Sequence, residues 1–401
     1  MINVAVLGYG TIGSGVVEVL QTNATIIAKR AGEEIVVKYI LDLRDFPGDP
    51  NEDKIVHDYD IIHNDEDVQV VVECMGGVEP AYTFVKKALL QGRSVATSNK
   101  ELVAKYGAEL IAIARGKNVN FLFEASVGGG IPIIRPLVQC LTADIIQQIS
   151  GILNGTTNYM LTRMEESGLS FEAALKEAQE KGYAELHPEA DIDGFDACRK
   201  IAILSSLAFG KQVDYEDVYT EGIRNITAED IQYAGKLKKS IKLLGNSWRK
   251  DGKLYAMVCP VMVDKSHPLA GVRDVFNAIL VRGNMVDDTM FYGKGAGKLP
   301  TASAVAADVV DCVKHTGKNI KIIWDFEKLK LSDPKNFERK YFVRMAPETS
   351  EEKIQEVFGK VEMVRVEGLE EKAFVTGTMK EKDFNNALEQ FNTIINRIRL
   401  D

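Results

Sequence analysis

Short apolar runs alternate with longer amphipathic stretches along the first third of the chain. The apolar runs predict strands at residues 3–7, 34–41, 68–73, 94–97 and 119–125. The stretches between them predict helices at residues 11–28, 80–91 and 100–116. Strands that alternate with helices build a parallel sheet with right-handed crossovers. The pattern therefore predicts an α/β fold in which residues 1–133 form a Rossmann-type nucleotide-binding domain.

A different pattern begins after residue 133. We expect a strand at residues 145–153, a helix-rich region at 156–245, and strands at 254–263, 276–281 and 290–293. This mixture predicts an α+β domain over residues 134–298. A helix of small residues follows, and residues 299–317 are predicted to pack back on the first domain and complete it.

The last part of the chain is predicted to hold a linker and a small module. Residues 318–338 are charged and predict the linker. Within residues 339–401 we expect a strand at 340–345, a helix at 350–358, strands at 361–366 and 373–378, and a helix at 381–396. This β-α-β-β-α order resembles part of a ferredoxin-like regulatory module.

Charge and cysteine usage exclude several classes of protein. The net charge of −9 argues against a nucleic-acid partner, because a phosphate backbone repels an acidic protein. The five cysteines form no CxxC pair, which argues against a disulfide framework or a zinc site and favours a reducing cytoplasm. Neither a signal peptide nor an apolar run of about 18 residues is apparent, so no membrane span is predicted.

A GxGxxG motif follows the first predicted strand and opens the first predicted helix. It consists of Gly8, Gly10, Thr11, Ile12 and Gly13, with Tyr9 in between. In this context the glycines allow a tight turn, close approach of a pyrophosphate, and packing of the helix on the strand. Phosphate oxygens would then meet backbone N–H groups at the helix end. The alternative is a glycine turn without a ligand.

The end of the second predicted strand should distinguish the two dinucleotides. Asp42 could accept the ribose hydroxyls of NAD, whereas Arg44 could pair with the additional phosphate of NADP. The two signals conflict, and both side chains could instead be solvated loop charges.

Two further loops follow predicted strands and are expected to face the same crevice. One contains Gly76, and the other contains Ser98 and Lys100. Lys100 lies at the N-terminus of a predicted helix, with Ser98 or Asn99 as the cap. The helix dipole disfavours a cation there and should lower the pKa of Lys100, which suits proton transfer. The alternative is a surface lysine that bends into water.

A second group of charged residues lies within sixteen positions. It comprises Glu185, Asp191, Asp196 and Lys200. Asp196 and Lys200 are four residues apart on a predicted helix and share a face. Such a group could hold an amino-acid substrate, with carboxylates for its ammonium and a lysine for its oxygen. The alternative, favoured on local evidence, is an exposed ion pair.

Seven motifs resemble those of homoserine dehydrogenases and occur in the same order. They extend over about residues 1–315 and are GYGTIGSGV, TSNKELVA, FEASVGGGIPII, GILNGTTNYML, GYAE, DIDGFDACRKIAIL and FYGKGAGKLPTASAVAADVVD. The resemblance implies NAD- or NADP-dependent interconversion of L-homoserine and L-aspartate 4-semialdehyde, a step towards threonine, methionine and isoleucine. It also implies that residues 134–298 bind the substrate and form a homodimer or a higher oligomer.

The resemblance assigns roles to residues of these motifs. Lys200 is implied as the acid/base, and Lys100 is implied to lie beside the nicotinamide and the substrate, so that both ammonium groups approach one substrate oxygen. Glu185 and Asp196 match substrate-binding carboxylates, with Asp191 close by. Gly182 and Gly297 match positions near the coenzyme.

The resemblance further implies a sodium site and a regulatory module. The sodium ligands would be oxygens of Glu124, Val127, Gly129 and Ile131, which suit a hard cation. The alternative is a plain glycine turn. The C-terminal module resembles an ACT-like domain only loosely, since its first strand–helix turn, residues 346–349, lacks the usual glycine.

Two other functions remain to be distinguished. An aspartate-semialdehyde dehydrogenase would need a cysteine nucleophile, and neither Cys74 nor Cys140 has an obvious base partner. A nucleotide-sensing regulatory protein would bind the coenzyme without turnover.

Overall fold

Two structural units make up the chain in the computed structural model, which describes residues 1–401. The first unit contains residues 1–146, 202–214 and 291–329, and the second contains residues 147–201, 215–290 and 330–401. Each unit combines helices with a sheet of its own. No helix is both long enough and apolar enough to cross a membrane.

A six-stranded parallel sheet forms the centre of the first unit. Its strands, in chain order, are Ile2–Leu7, Ile35–Leu41, Ile55–Val56, Val68–Glu73, Ser94–Thr97 and Phe121–Leu122. In space they lie in the order third, second, first, fourth, fifth, sixth, and all pairs are parallel. Because helices cover both faces of such a sheet, its strands are runs of buried Val, Ile and Leu. The predicted Rossmann-like fold is confirmed, with the strand order of a dinucleotide-binding domain.

Helices surround this sheet. They are Thr11–Thr22, Ala24–Ala31, Tyr59–His63, Ala81–Leu90, Lys100–Gly116, Ala125–Gly128 and Lys298–Lys314, with a 3₁₀ turn at Glu52–Lys54 and a π-helical turn at Pro136–Cys140. The single helix predicted over residues 11–28 is two helices, because Asn23, a poor helix former, leaves the helical dihedrals at φ −102° and ψ 16°.

The helix Lys298–Lys314 belongs to the first unit. A Cβ on Gly15 would lie 3.0 Å from the Cβ of Ala302, so these two helices approach closely only because both residues are small. The segment after this helix also joins the first unit: Trp324 is buried, and its indole N–H donates to Gln212 at 2.9 Å. The short strand Asp325–Lys328 then pairs with Lys211–Gln212.

A larger mixed sheet forms the centre of the second unit. Its strands are Ile146–Ile152, Tyr219–Thr220, Lys239–Lys250, Lys253–Asp264, Phe276–Gly283, Asp287–Lys294, Tyr341–Met345, Glu362–Val364, Lys372–Val375 and Ile394–Leu400. The two twelve-residue strands pair in antiparallel register across the turn at Asp251 and Gly252. Both turn residues have positive φ, which is typical of a type I′ hairpin. The helix-rich region predicted over residues 156–245 therefore ends at Lys236, and the residues from Lys239 onward form a strand.

The helices of the second unit lie between and beside these strands. They are Gly155–Ser167, Phe171–Glu180, Glu189–Ile192, the beginning of Phe195–Phe209, Ala228–Lys236, Glu351–Phe358 and Glu381–Leu388, with 3₁₀ turns at Tyr215–Asp217, Pro268–Gly271 and Pro334–Asn336. A two-stranded ladder, Glu338–Arg339 with Met379–Lys380, completes the unit.

The end of the chain differs from the prediction. The helix expected over residues 381–396 ends at Leu388, and Ile394–Leu400 is a strand instead. That strand pairs with Tyr341–Met345 and, through Val261 opposite Arg399, with the long strand Lys253–Asp264. The C-terminal residues therefore extend the main sheet of the second unit.

Candidate active site

The glycine motif lies at the carboxyl end of the first strand, where the sequence placed it. Gly8 has φ +93° and contacts Cys74 and Met75 so closely that a Cβ would lie 3.1 Å from their atoms. A Cβ on Gly13 would lie 1.8 Å from the carbonyl oxygen of Gly8. Both positions therefore require glycine, and together they hold the first turn of the helix against the end of the strand.

The first turn of that helix offers room for an anion. Gly10 is the N-cap and provides no side-chain hydrogen bond, and a Cβ there would meet no atom within 4 Å. Thr11 is exposed and Ile12 is half-buried. Since the N–H groups of a first helical turn have no partner within the helix, they can receive a pyrophosphate.

Asp42 and Arg44 form one unit at the end of the second strand. The backbone N–H of Tyr9 donates to Asp42 Oδ2 at 2.8 Å, and Nε and Nη2 of Arg44 donate to the two oxygens at 2.9 and 3.0 Å. The Arg44 guanidinium holds the pKa of Asp42 well below its usual range. The Arg44 side chain is more than half exposed and Asp42 is largely covered. The two residues are therefore an ion pair rather than separate solvated charges.

A buried hydrogen-bond network connects the next two loops of this edge. The Thr97 hydroxyl donates to Glu73 Oε2 at 2.5 Å, and the Met75 N–H donates to Glu73 Oε1 at 2.8 Å. The Asn99 amide donates to the Gly77 carbonyl at 2.6 Å. These bonds hold the loop containing Gly76 beside the loop containing Ser98.

Lys100 is the first residue of the helix Lys100–Gly116, and Asn99 is its N-cap, accepting from the Leu102 N–H at 3.1 Å. Lys100 and Ser98 are half-buried. The expected helix start is thus confirmed, with Asn99 rather than Ser98 as the cap. Gly297, at φ +117°, precedes the helix Lys298–Lys314 in the same unit.

The glycine-rich segment after the sixth strand is tightly packed. Glu124 is buried, and its carboxylate accepts backbone N–H groups of Ile133, Ile134 and Arg135 at 2.6 to 2.8 Å. Gly129 has φ +56°, and a Cβ there would lie 2.2 Å from the Gly295 carbonyl oxygen. Val127 and Ile131 are buried as well.

Lys200 lies in a buried polar cluster of the second unit. Its ammonium donates to Asp196 Oδ2 and to the Leu153 carbonyl, both at 2.7 Å. Only 9 % of Lys200 and 4 % of Asp196 is exposed. The exposed ion pair favoured on local evidence is therefore not what the fold contains, and a buried pair must be matched by further hydrogen bonds.

Asn154 supplies those hydrogen bonds and was not identified from the sequence. Its side-chain amide group donates to Asp191 at 2.8 Å and to Asp196 at 2.9 Å. Its side-chain oxygen, Oδ1, accepts from the Thr157 N–H and so caps the helix Gly155–Ser167. Burial, and then the charge of Asp196, raise the pKa of Asp191. An asparagine directly between a predicted strand and a predicted helix was the available signal, since that position favours N-caps.

Two residues assigned to the substrate or coenzyme lie outside this cluster. Glu185 is exposed, and its backbone carbonyl accepts from the Gln179 amide at 3.1 Å. Gly182 is also exposed and has φ +72°, with open space around a Cβ position. The fold therefore brings together Lys200, Asp196 and Asp191, but leaves Glu185 and Gly182 on the adjoining loop.

Models of two protein families match the chain. The model described as "Homoserine dehydrogenase, NAD binding domain" matches residues 8–124, and the model described as "Homoserine dehydrogenase" matches residues 132–310. The first match includes the glycine motif and Lys100, and the second includes the Lys200 cluster.

Curated relatives and solved structures give the same result. The homoserine dehydrogenase of Bacillus subtilis is 38 % identical, with 98 % of this chain and 95 % of the relative covered, and that of Synechocystis is 45 % identical, with 78 % and 73 % covered. A homoserine dehydrogenase structure from Thiobacillus denitrificans has a TM-score of 0.89 at 36 % identity, covering 100 % of this chain and 98 % of that one. A hyperthermophilic archaeal homoserine dehydrogenase in complex with NADPH has a TM-score of 0.65 at 27 % identity, covering 78 % and 97 %.

Proposed function

The chain belongs to the homoserine dehydrogenase family, and from this membership we propose how its own side chains perform the reaction. It is an oxidoreductase that interconverts L-homoserine and L-aspartate 4-semialdehyde. The observation that carries the proposal is the buried cluster in which Lys200 donates to Asp196 and Asn154 bridges Asp196 and Asp191.

The residues at the carboxyl edge of the first sheet fit a nicotinamide dinucleotide. A turn in which neither Gly8 nor Gly13 has room for a Cβ leads into an uncapped helix end, which is the donor arrangement that a pyrophosphate needs. When bound, the nicotinamide supplies the hydride acceptor or donor. We assign Gly8, Gly10, Thr11, Ile12 and Gly13 to the pyrophosphate half. The remaining coenzyme contacts are assigned to Asp42, Arg44, Gly76, Ser98, Lys100, Gly182 and Gly297.

Arg44 makes NADP compatible with this site as well as NAD. Its guanidinium is exposed and donates to Asp42, and it lies over the Phe46 ring at 5.1 Å from the ring centroid. From this position it can turn to an added phosphate, which it binds through paired N–H groups. NAD would instead need the Asp42 carboxylate for its ribose hydroxyls.

Lys200 is the proposed acid/base. Two of its N–H groups are fixed by Asp196 and the Leu153 carbonyl, which leaves one direction for a substrate oxygen. When the aldehyde is reduced, the ammonium gives its proton to the developing alkoxide, and on oxidation the neutral amine takes that proton from the hydroxyl. The positive charge also stabilises the oxyanion.

The carboxylates are proposed to bind the substrate's ammonium. Asp191 and Asp196 both accept hydrogen bonds from the Asn154 amide. A cation placed beside them would offset the repulsion between the two carboxylates, which contributes to the raised pKa of Asp191. Glu185, on its exposed loop, is proposed as a third carboxylate contributed from outside the cluster. Lys100 is proposed to act in the same turnover, as a donor to the substrate oxygen.

The glycine-rich segment after the sixth strand is the proposed site of a monovalent cation. The side-chain oxygens of Glu124 are occupied by three backbone N–H groups. We therefore propose that sodium would be held by backbone oxygens of Glu124, Val127, Gly129 and Ile131, with the glycine at 129 required by its positive φ.

Several finer assignments complete the proposal. We propose residues 1–133 with 299–317 as the coenzyme domain, 134–298 as the substrate and dimer domain, 318–338 as a connection, and 339–401 as an ACT-like module. The order of its four strands in the sheet, which is fourth, first, third, second, supports a ferredoxin-like topology.

A homodimer in the cytoplasm is proposed. Neither an aspartate-semialdehyde dehydrogenase nor a nucleotide-sensing regulatory protein is favoured. Burial raises the pKa of the Cys74 thiol, which makes it a poor nucleophile.

Turnover of homoserine by Lys200→Ala tests this proposal. We expect the wild type to reduce NAD or NADP with homoserine in the absence of added inorganic phosphate. In Lys200→Ala, kcat should fall about 100- to 10,000-fold. Coenzyme affinity should stay within a few fold. Lys176→Ala is the matched control, because Lys176 forms an i,i+4 pair with Glu180 but is 78 % exposed. Equal losses of turnover and coenzyme affinity in folded Lys200→Ala would contradict the assigned role.

A further inference from the structure

Glu73 is a buried carboxyl that the proposed chemistry does not use. It is the last residue of the strand Val68–Glu73 and has no exposed surface. Its hydrogen-bond donors are all neutral: the Thr97 hydroxyl, the Met75 N–H and the Asn99 side chain. Thr97 is the last residue of the fifth strand of the first sheet, and Met75 and Asn99 lie in the loops that follow the fourth and fifth strands.

We propose that Glu73 is a positioning residue that fixes both loops of the coenzyme edge and, through Asn99, the start of the helix that carries Lys100. The inference rests on the proposed function, in which Lys100 and the loop containing Gly76 meet the coenzyme and the substrate.

The contacts form two continuous paths from the carboxyl. On one path Glu73 accepts from Thr97, whose Oγ1 accepts from the Asn99 N–H at 2.9 Å, and Asn99 caps the Lys100 helix. On the other path Glu73 accepts from Met75, whose side chain lies against Gly8 of the glycine motif. Asn99 closes the two paths through its bond to the Gly77 carbonyl.

Packing alone does not account for a carboxyl at this position. Burial raises the pKa of Glu73 to about 7, so at neutral pH the fold holds a partly ionised group without a cation to match it, which lowers stability. The titratable group that faces it is the Cys74 thiol, which the Glu73 charge also keeps protonated. An amide of the same shape would fill the space without this penalty. Hydrogen bonding explains why a carboxyl is present: its two oxygens accept hydrogen bonds from both neighbouring segments at the same time.

Three variants separate positioning from packing. Glu73→Gln keeps the shape but replaces one acceptor by a donor, Thr97→Val removes the hydroxyl, and Thr97→Ser keeps it. We expect kcat to fall about 10- to 100-fold in Glu73→Gln and Thr97→Val, as a misplaced site requires, and to stay within about twofold in Thr97→Ser. In the double variant Glu73→Gln/Thr97→Val, kcat should fall no further than in the more affected single variant, because both substitutions act on the bond between Thr97 and Glu73.

Amide exchange gives a readout that does not depend on turnover. In Glu73→Gln the amides of Met75 and Leu102 should exchange at least tenfold faster, while the thermal midpoint at pH 8 stays equal or rises. Glu66→Gln, an exposed carboxyl just before the same strand, should change neither readout. Unaltered exchange at Met75 and Leu102, full kcat in Glu73→Gln, or multiplicative losses in the double variant would each overturn the inference. Failure of the wild type to oxidise homoserine would instead overturn the proposed function, and the exchange result would still stand.

Discussion

Buried carboxylates occur in both units, but they are satisfied in different ways. In the first unit Glu73 accepts only neutral donors, and burial raises its pKa to about 7. In the second unit Asp196 accepts from the Lys200 ammonium and from the Asn154 amide. The charge of Glu73 therefore varies near neutral pH without a cation beside it, whereas Asp196 is bonded directly to the Lys200 ammonium.

This difference suggests a division of labour. A group that holds loops in place needs well-directed hydrogen bonds, and these do not require a full charge. A group that holds a proton-transferring lysine must instead keep that lysine's position and charge under control. We therefore expect changes at Asn154 and Lys200 to lower both stability and turnover. Changes at Glu73 should lower turnover without lowering stability.

Asn154→Ala should show the largest combined effect. It removes a helix cap, worth about 1–2 kcal/mol, and takes the shared donor from buried Asp196 and half-buried Asp191. The free energy of unfolding should therefore fall by about 3–5 kcal/mol in total. kcat/KM for homoserine should fall about 100-fold or more. Denaturant unfolding and steady-state kinetics measure both quantities.

A second helix cap serves as the control that separates the cost of losing a cap from the cost of leaving the two carboxylates without their shared donor. Ser170 caps the exposed end of the helix Phe171–Glu180, so Ser170→Ala should cost only about 1 kcal/mol and leave kcat/KM unchanged. If Asn154→Ala were as mild as Ser170→Ala, the bridging role of Asn154 would be wrong.

The pH dependence of stability should distinguish Glu73→Gln from the wild type. Because the folded pKa of about 7 lies above the ordinary value of 4.5, the folded state binds more protons than the unfolded state between these values, and wild-type stability falls as pH rises through this window. The loss approaches about 3 kcal/mol above pH 7. Glu73→Gln should lack it, so its stability relative to wild type should increase from pH 5 to pH 8. Parallel curves would show that Glu73 does not titrate in this range.

Arg44→Ala should have the smallest effect and sharpen the choice of coenzyme. Loss of a charge-assisted contact to the added phosphate should weaken NADP binding by about tenfold. NAD binding should be unchanged or tighter, because Asp42 is then released from its ion pair. Coenzyme fluorescence titrations provide both dissociation constants. Equal weakening of both coenzymes would mean that Arg44 only stabilises the loop.

The sequence was sufficient for features defined by local patterns. The glycine motif, the alternating strands and the helix of Lys100 all depend on spacing within a few residues, and the structure confirms them. The hairpin at Asp251 and Gly252 was also locally encoded, but its turn signal was missed. The final strand Ile394–Leu400 was not locally encoded, because it is fixed by pairing with strands about fifty or more positions earlier.

The site residues divide in the same way. Lys200 and Asp196 are four residues apart on one helix, so their pairing was predictable, but their burial depends on the strand that ends before Asn154. Asn154 itself meets Asp191 and Asp196 across 37 and 42 positions. Glu73 meets Thr97 across 24 positions. The position of Asn154 indicates its helix cap, but the long-range contacts of neither network leave a pattern in a single sequence, since they depend on segments that the fold brings together.

Lys200→Arg tests the central claim most directly. Arginine keeps a positive charge beside Asp196 but cannot release its proton in the accessible pH range. We predict that Lys200→Arg turns over homoserine as slowly as Lys200→Ala while it binds the coenzyme as the wild type does. A kcat for Lys200→Arg close to that of the wild type would contradict the assignment of Lys200 as the acid/base.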